Sequence, residues 1–293
     1  MEIINIETTN ICPAKCIICP REKFTSKKGS MDMELFKKIM RDAFDHEVKV
    51  VDTCGFGDPF ADNRFFERCG YIKANSNAKI YISTTGYLMN QPYLVLKYVD
   101  ILKLSIYGMH PHVYKKMHNL SISQSIKNIF SLLDKKKYVE SSMYTIGLFV
   151  RTEENKDDEE SWKNYWGKKL DEIFIWEPHN WAGLRNYREL DSTNQTSCGR
   201  PINGPLYIHV DGKVSVCCWD INKQLIVGDM NKQTIDEVYN SDEYIRIKEK
   251  HRKNDFEGLL CKGCEQTNTN NNVLIYTNKN RKVRALTPNF GDL

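Results

Sequence analysis

The feature that most constrains this 293-residue chain is a hydrophobic period that switches repeatedly between two and about 3.6 along residues 2–176. Residues 2–8 alternate apolar and polar side chains, as a half-buried strand does. Met33, Phe36, Ile39, Met40 and Phe44 then recur at helical spacing over residues 31–44, with Ser30 as the N-cap. The exchange continues with strands expected over 48–53, 79–83, 101–107, 142–150 and 172–176. Helices are expected between them over 61–75, 91–98, 122–136 and 157–169. Strands alternating with helices argue for parallel β/α units, because a parallel pair needs a long crossover. Six units fall short of the eight that close a TIM barrel. The expected α/β fold is therefore a partial (β/α)6 TIM-like barrel, with its chemistry at the C-terminal strand ends.

From about residue 178 the pattern changes. A polar stretch over 191–197 reads as a linker. Residues 205–218 read as a hairpin turning at Asp211-Gly212, and 234–251 as a helix. These features predict a barrel over residues 1–185 and an α+β domain over 186–293. The latter carries a polar run at 267–272 and a short basic stretch at 279–284, read as a tail rather than a nucleic-acid site. Lys and Arg number 42 against 38 Asp and Glu, a net charge of +4, which excludes a strongly basic nucleic-acid coat. No run of 18 apolar residues predicts a membrane span. The N-terminus lacks the basic and apolar regions of a secretory signal, so a cytoplasmic protein is expected.

That compartment gives the ten cysteines their meaning, since clustered thiols in a reducing environment serve metals or redox chemistry more often than disulfides. Cys12, Cys16 and Cys19 form C-x3-C-x2-C on the loop after the first strand. Three soft thiolates on one loop suit an iron–sulfur cube and leave its fourth iron open. Cys198, Cys217, Cys261 and Cys264 supply four more thiolates, enough for a closed cluster or for a structural zinc. Cys217 and Cys218, read as neighbours on a strand, would face opposite ways, and Cys217 is taken as the ligand. Cys54, Cys69 and Cys218 are assigned to packing.

The triplet resembles the motif of the radical S-adenosylmethionine enzymes, with Ile18 standing where the family more often has an aromatic residue. Gly55-Phe56-Gly57-Asp58-Pro59 resembles the family's Gly-Gly-Glu-Pro segment, which holds the methionyl amino group. The resemblance implies cofactor contacts from Ile18, Gly55, Gly57, Asp58, Pro59, Ser83, Thr85, Ser105 and Arg151. The Gly-x4-Cys hairpin at Cys217 and the Cys261/Cys264 pair resemble the auxiliary-cluster region of the SPASM/Twitch subgroup in its one-cluster form.

Such a protein is expected to hold one [4Fe–4S] cluster on Cys12, Cys16 and Cys19, with S-adenosylmethionine on the open iron. A second [4Fe–4S] cluster is expected on Cys198, Cys217, Cys261 and Cys264. Electrons would come from a flavodoxin or ferredoxin. Small relatives with one auxiliary cluster include a dehydrogenase that oxidises a secondary alcohol in aminoglycoside synthesis, so the first expectation is a radical dehydrogenase acting on a sugar, cyclitol or similar small molecule. Peptide modification by thioether formation, oxidation or epimerisation is the alternative enzyme, and a zinc-binding interaction protein the non-enzymatic one. Arg151, His179 and Tyr107 are candidate pocket residues, the first two assigned to catalysis with the triplet cysteines.

Overall fold

The computed structural model describes residues 2–190, 194–268 and 273–279. Its strands in chain order are β1 (Ile3–Ile6), β2 (Val50–Asp52), β3 (Lys79–Thr84), β4 (Ile101–Ser105), β5 (Tyr144–Val150), β6 (Glu172–Trp176), β7 (Tyr207–Ile208), β8 (Lys213–Ser215), β9 (Ile226–Asp229) and β10 (Leu274–Thr277). Its helices are α1 (Met33–Asp45), α2 (Phe65–Asn75), α3 (Pro92–Tyr98), α4 (Pro111–His118), α5 (Ile122–Tyr138), α6 (Glu159–Trp166), α7 (Arg200–Asn203), α8 (Ile235–Tyr239) and α9 (Asp242–Arg252). Two compact units are assembled from interleaved stretches. One comprises Met1–Asn10, Pro20–Gly57 and His179–Asn271, the other Ile11–Cys19, Asp58–Pro178 and Asn272–Leu293.

In the first unit β1 runs parallel to β2 on one side and to β7 on the other. The β7–β8 pair is the expected hairpin, turned at Gly212 with φ +82°, and β9 adds antiparallel to β8. Helix α1 buries the expected stripe of Met33, Phe36, Ile39 and Met40. Its N-cap is Asp32, not Ser30. The Asp32 carboxylate accepts from the Glu34 and Leu35 N–H groups, satisfying two donors that the helix cannot. Ser30 is held instead in an antiparallel bridge with Thr9. The helix expected over 234–251 is two helices, because Ser241 accepts from Tyr244 N–H and starts α9 afresh.

In the second unit β3, β4, β5 and β6 pair in parallel in chain order, and β10 closes antiparallel on β6. Ile82, Leu102, Leu104 and Phe149 are fully buried on these strands, and Trp162 and Trp166 of α6 pack beneath them. Each such side chain contributes roughly 1.5–3 kcal/mol by leaving water. Helix α4 was not expected. It is short, begins with Pro111 at its first position and ends at Asn119 in the left-handed region with φ 55°.

No helix among the described residues is long and apolar enough to cross a membrane. Residues 191–193 of the expected linker, 269–272 of the polar run and 280–284 of the basic stretch lie outside the described residues. The described start of the polar run is not loose, since Thr267 is buried and donates to the Cys264 carbonyl at 2.6 Å.

Candidate active site and cysteine centres

The triplet loop, Ile11–Cys19, belongs to the second unit. The last carbonyls of a helix have no partner within it. At the end of α4 they accept from the loop instead, Met117 from Ile17 N–H at 3.0 Å and His118 from Lys15 N–H at 2.9 Å. Cys19 N–H turns back to the Cys16 carbonyl at 3.0 Å, and Asp58 N–H reaches the Ile11 carbonyl at 2.9 Å. These backbone bonds hold three half-buried thiols on one short arc, over the buried Ala14 and Ile18.

His118 stands beside the triplet, a neighbour that sequence spacing did not indicate. Its ring is fully buried between Tyr107 and Tyr114, with centroids 4.5 and 4.4 Å away. Its Nδ1 lies 3.2 Å from Cys16 Sγ and its Nε2 3.1 Å from Tyr107 N. Burial lowers its pKa to about 3, so the ring is neutral. The 102-residue separation from Cys16 left no local signal; only the unexpected α4 brings the two together.

The other candidates around this loop are placed as follows. Asp58 is buried. One carboxylate oxygen accepts from Phe60 N–H and caps the turn at Pro59–Ala61, and the other accepts from Thr84 Oγ1 at 2.8 Å. Burial raises its pKa, with the Thr84, Phe60 and Thr85 donors opposing. Ser83 and Ser105 are half-buried on β3 and β4, and Thr85 follows β3. Tyr107 is buried and its hydroxyl is hydrogen-bonded to Ser105. Arg151 follows β5, and its guanidinium grips both Glu159 oxygens at 2.5 Å, which holds its pKa up. The acidic run at 153–160, expected to be solvated, is therefore partly structural. Asp158 is buried and accepts from the Met109 and His110 N–H groups. Asn155, also missed, is buried and donates to the Tyr107 and Val150 carbonyls, tying together the segments after β4 and β5.

Gly55, Gly57 and His179 belong to the first unit. A Cβ at Gly55 would stand 2.7 Å from Glu7 Cγ and Tyr207 Oη, so only glycine fits there. His179 stacks on Trp219 with centroids 3.9 Å apart and planes 14° apart, and tilts against Trp181 at 4.4 Å.

The same unit holds Cys198, Cys217, Cys261 and Cys264. Cys261 and Cys264 are buried on one tight turn, with Cys264 N–H on the Cys261 carbonyl at 3.0 Å. Burial pushes the Cys261 thiol up to about 12 and raises Cys264 and Cys198 as well. Trp219 N–H points at Cys217 Sγ at 3.4 Å, and His251 Nε2 lies 3.2 Å from Cys261 Sγ. Strand β8 ends at Ser215, so Cys217 and Cys218 lie on a turn rather than on opposite faces of a strand. Their side chains hydrogen-bond to each other, which raises Cys217 and lowers Cys218. Arg200 is buried beside them and hydrogen-bonds Asn5 Oδ1 at 2.6 Å. Burial works against the charged guanidinium, but the Cys218 and Cys217 sulfurs and the Asp52 carboxylate outweigh it and raise its pKa.

The donor chemistry fits iron–sulfur groups. Both sets are soft sulfurs with nitrogen groups close to them, and in the second Cys261 and Cys264 are buried while Cys198 and Cys217 are half-buried, all four with raised pKa values. Arg200 Nε is a buried donor with no acceptor among the described residues.

The sequence model of the Radical SAM superfamily matches residues 6–161, and that of the SPASM iron-sulfur cluster-binding domain matches residues 198–265. Among solved structures the chain is similar to BtrN in complex with AdoMet and 2-DOIA, with TM-score 0.63 and 16% identity over 90% of this chain and 92% of that one. It is similar to Streptococcus suis SuiB bound to the precursor peptide SuiA, with TM-score 0.66 and 14% identity over 90% and 70%. A third is anSMEcpe with bound AdoMet, with TM-score 0.59 and 14% identity over 93% and 92%. These likenesses are of fold. The tungsten-containing aldehyde ferredoxin oxidoreductase cofactor-modifying protein of Pyrococcus furiosus is 32% identical over 95 residues. That match covers 32% of this chain and about a quarter (26%) of the relative's length.

Proposed function

Because the chain belongs to the radical S-adenosylmethionine superfamily and carries a SPASM iron–sulfur domain, we propose that it is a radical dehydrogenase that oxidises a secondary alcohol of a sugar, cyclitol or similar small molecule. When bound, the cofactor pair of a [4Fe–4S] cluster and S-adenosylmethionine supplies a 5′-deoxyadenosyl radical able to abstract hydrogen from carbon. Cys12, Cys16 and Cys19 would hold that cluster, and Ile18 would shield it. Gly55 and Gly57 would let backbone approach the methionyl group, and Asp58, which caps the turn at Pro59–Ala61, would offer it a carboxylate. Ser83, Thr85 and Ser105 offer hydroxyls at the strand ends. Arg151 offers a carboxylate-binding fork that must loosen from Glu159 to do so. His179, stacked on Trp219, is carried forward as a candidate substrate-contacting residue. A flavodoxin or ferredoxin delivers the electron.

The observation that carries this reading is the second thiol set. Oxidising an alcohol removes two electrons and two protons; hydrogen abstraction accounts for one of each. The other electron needs an acceptor, and Cys198, Cys217, Cys261 and Cys264, the last two buried, would provide four ligands for one. The division at residues 185/186 then separates the radical-forming part from the electron-accepting part, whatever the packing units. BtrN, crystallised with AdoMet and 2-DOIA, supports the small-molecule choice. SuiB, crystallised with a precursor peptide, supports peptide modification as the second reading.

The test is anaerobic turnover with S-adenosylmethionine, a strong reductant and cyclitols deuterated at the carbinol carbon. Label in 5′-deoxyadenosine together with a ketone product is the expected result. Unlabelled 5′-deoxyadenosine with every cyclitol, and label transferred from a peptide, would shift the assignment to peptide modification.

A further inference from the structure

A backbone N–H can only donate a hydrogen bond, and one such group settles the state of a buried ring. Tyr107 N–H points at His118 Nε2 across 3.1 Å, so Nε2 must present its lone pair. A ring whose Nε2 accepts carries its one proton on Nδ1. That nitrogen lies 3.2 Å from Cys16 Sγ. The geometry runs one way, from Tyr107 N–H into the ring and from the ring N–H onto the sulfur.

We propose that His118 is a positioning residue of the radical centre, donating a fixed N–H···S hydrogen bond to Cys16 that raises the reduction potential of the cluster held by Cys12, Cys16 and Cys19. The proposal rests on the ligand assignment made above. An electron added to an iron–sulfur cluster places charge partly on its thiolate sulfurs, and a donor aimed at a sulfur stabilises the reduced form more than the oxidised one. The His118 ring is fully buried, so water reaches the interaction only from the half-buried sulfur's side and screens it less than in solution. The ring is not what anchors the loop: the Lys15 and Ile17 N–H groups bond to backbone carbonyls of α4, which any residue at 118 would retain. Removing the ring's donor should thus alter the electronics of the sulfur without releasing the cysteines.

The experiment uses the full chain reconstituted anaerobically with iron and sulfide, and follows the EPR signal that changes on adding S-adenosylmethionine. Wild type is compared with His118→Leu, which has no donor, and with His118→Asn, whose amide nitrogen reaches toward the Nδ1 position. At the wild-type midpoint the Leu variant is expected to show a ratio of reduced to oxidised cluster about tenfold lower, equivalent to ~59 mV for one electron, and Asn to recover most of it. Wild type grown on 15N-histidine should also show nitrogen hyperfine coupling in that signal, absent from His118→Asn. An unchanged potential in an iron-replete Leu variant overturns the proposal. If Leu fails to assemble its cluster, absence of 15N coupling in wild type overturns it equally. A wild type with no S-adenosylmethionine-responsive signal would instead sink the ligand assignment itself.

Discussion

The two cysteine centres solve one chemical problem in different ways. Cys12, Cys16 and Cys19 are half-buried on a loop pinned by backbone bonds to the end of α4, whereas Cys261 and Cys264 are buried on a tight turn. Each centre sets a histidine 3.2 Å from one sulfur, His118 beside Cys16 and His251 beside Cys261. The rings are held differently. His118 is locked as a donor by a backbone N–H, while the Nδ1 of His251 meets the Ser197 hydroxyl at 2.9 Å, a group able to give or take a proton. The triplet is framed by backbone bonds, whereas the Cys261 and Cys264 thiols are framed by burial.

The largest effect that separates them is loss of the open centre. Cys16→Ala should cut iron from about eight to about four per chain and reduce 5′-deoxyadenosine release to background. Persistent cleavage would remove the triplet from the chemistry. The mirror experiment is Cys261→Ala. It should also lose about four irons, keep 5′-deoxyadenosine formation within a few-fold, and abolish the oxidised product. Continued oxidation would mean that the second electron leaves by another route.

Sequence legibility follows the same divide. The parallel strands were readable because β-branched and aromatic residues alternate with amphipathic helices; β6, Glu172–Trp176, falls where the pattern placed it. The cysteine spacing was readable because chelating loops are local. What escaped was set by distant packing. Helix α4 has only Tyr114, Met117 and His118 buried, too few for a visible period. Arg151 looked free beside an acidic run, yet Glu159 reaches it from the next turn of chain. Cys217 and Cys218 were assigned opposite faces because the strand was read three residues too long, and they meet on a turn. Strands β9 and β10 are short edge segments without clean alternation.

A smaller effect tests the frame of the first unit rather than its thiols. Glu7 follows β1 and is buried, accepting from Phe56 N–H at 2.9 Å and Val210 N–H at 3.2 Å. Burial raises its pKa to about 7 despite those donors, and His209, 4.0 Å away, is itself held neutral by burial. A carboxyl raised above its unfolded value contributes stability that is fully present below about pH 4.5 and is lost as pH rises through about 7. The loss is on the order of 3 kcal/mol at most. Wild type should therefore melt progressively lower from pH 5 to pH 8, and Glu7→Gln should lack that component of the slope. Parallel slopes would mean that Glu7 is ionised in the folded chain throughout.

The smallest effect bears directly on the two histidines. Ser197 Oγ accepts from Gly199 N–H at 3.1 Å and shares its remaining capacity with His251 Nδ1. If the hydroxyl donates to Nδ1, the ring proton sits on Nε2 and faces Cys261; if it accepts, Nε2 offers a lone pair instead. Ser197→Ala removes the hydroxyl but leaves both tautomers open, so His251 can still turn a donor toward the sulfur. The potential of the auxiliary cluster should then move by much less than the tenfold change in redox ratio expected for His118→Leu, under about 30 mV for one electron. A shift in Ser197→Ala as large as that in His118→Leu would show that both rings are locked donors, and would erase the distinction between an open centre tuned by a fixed proton and a closed one tuned by burial.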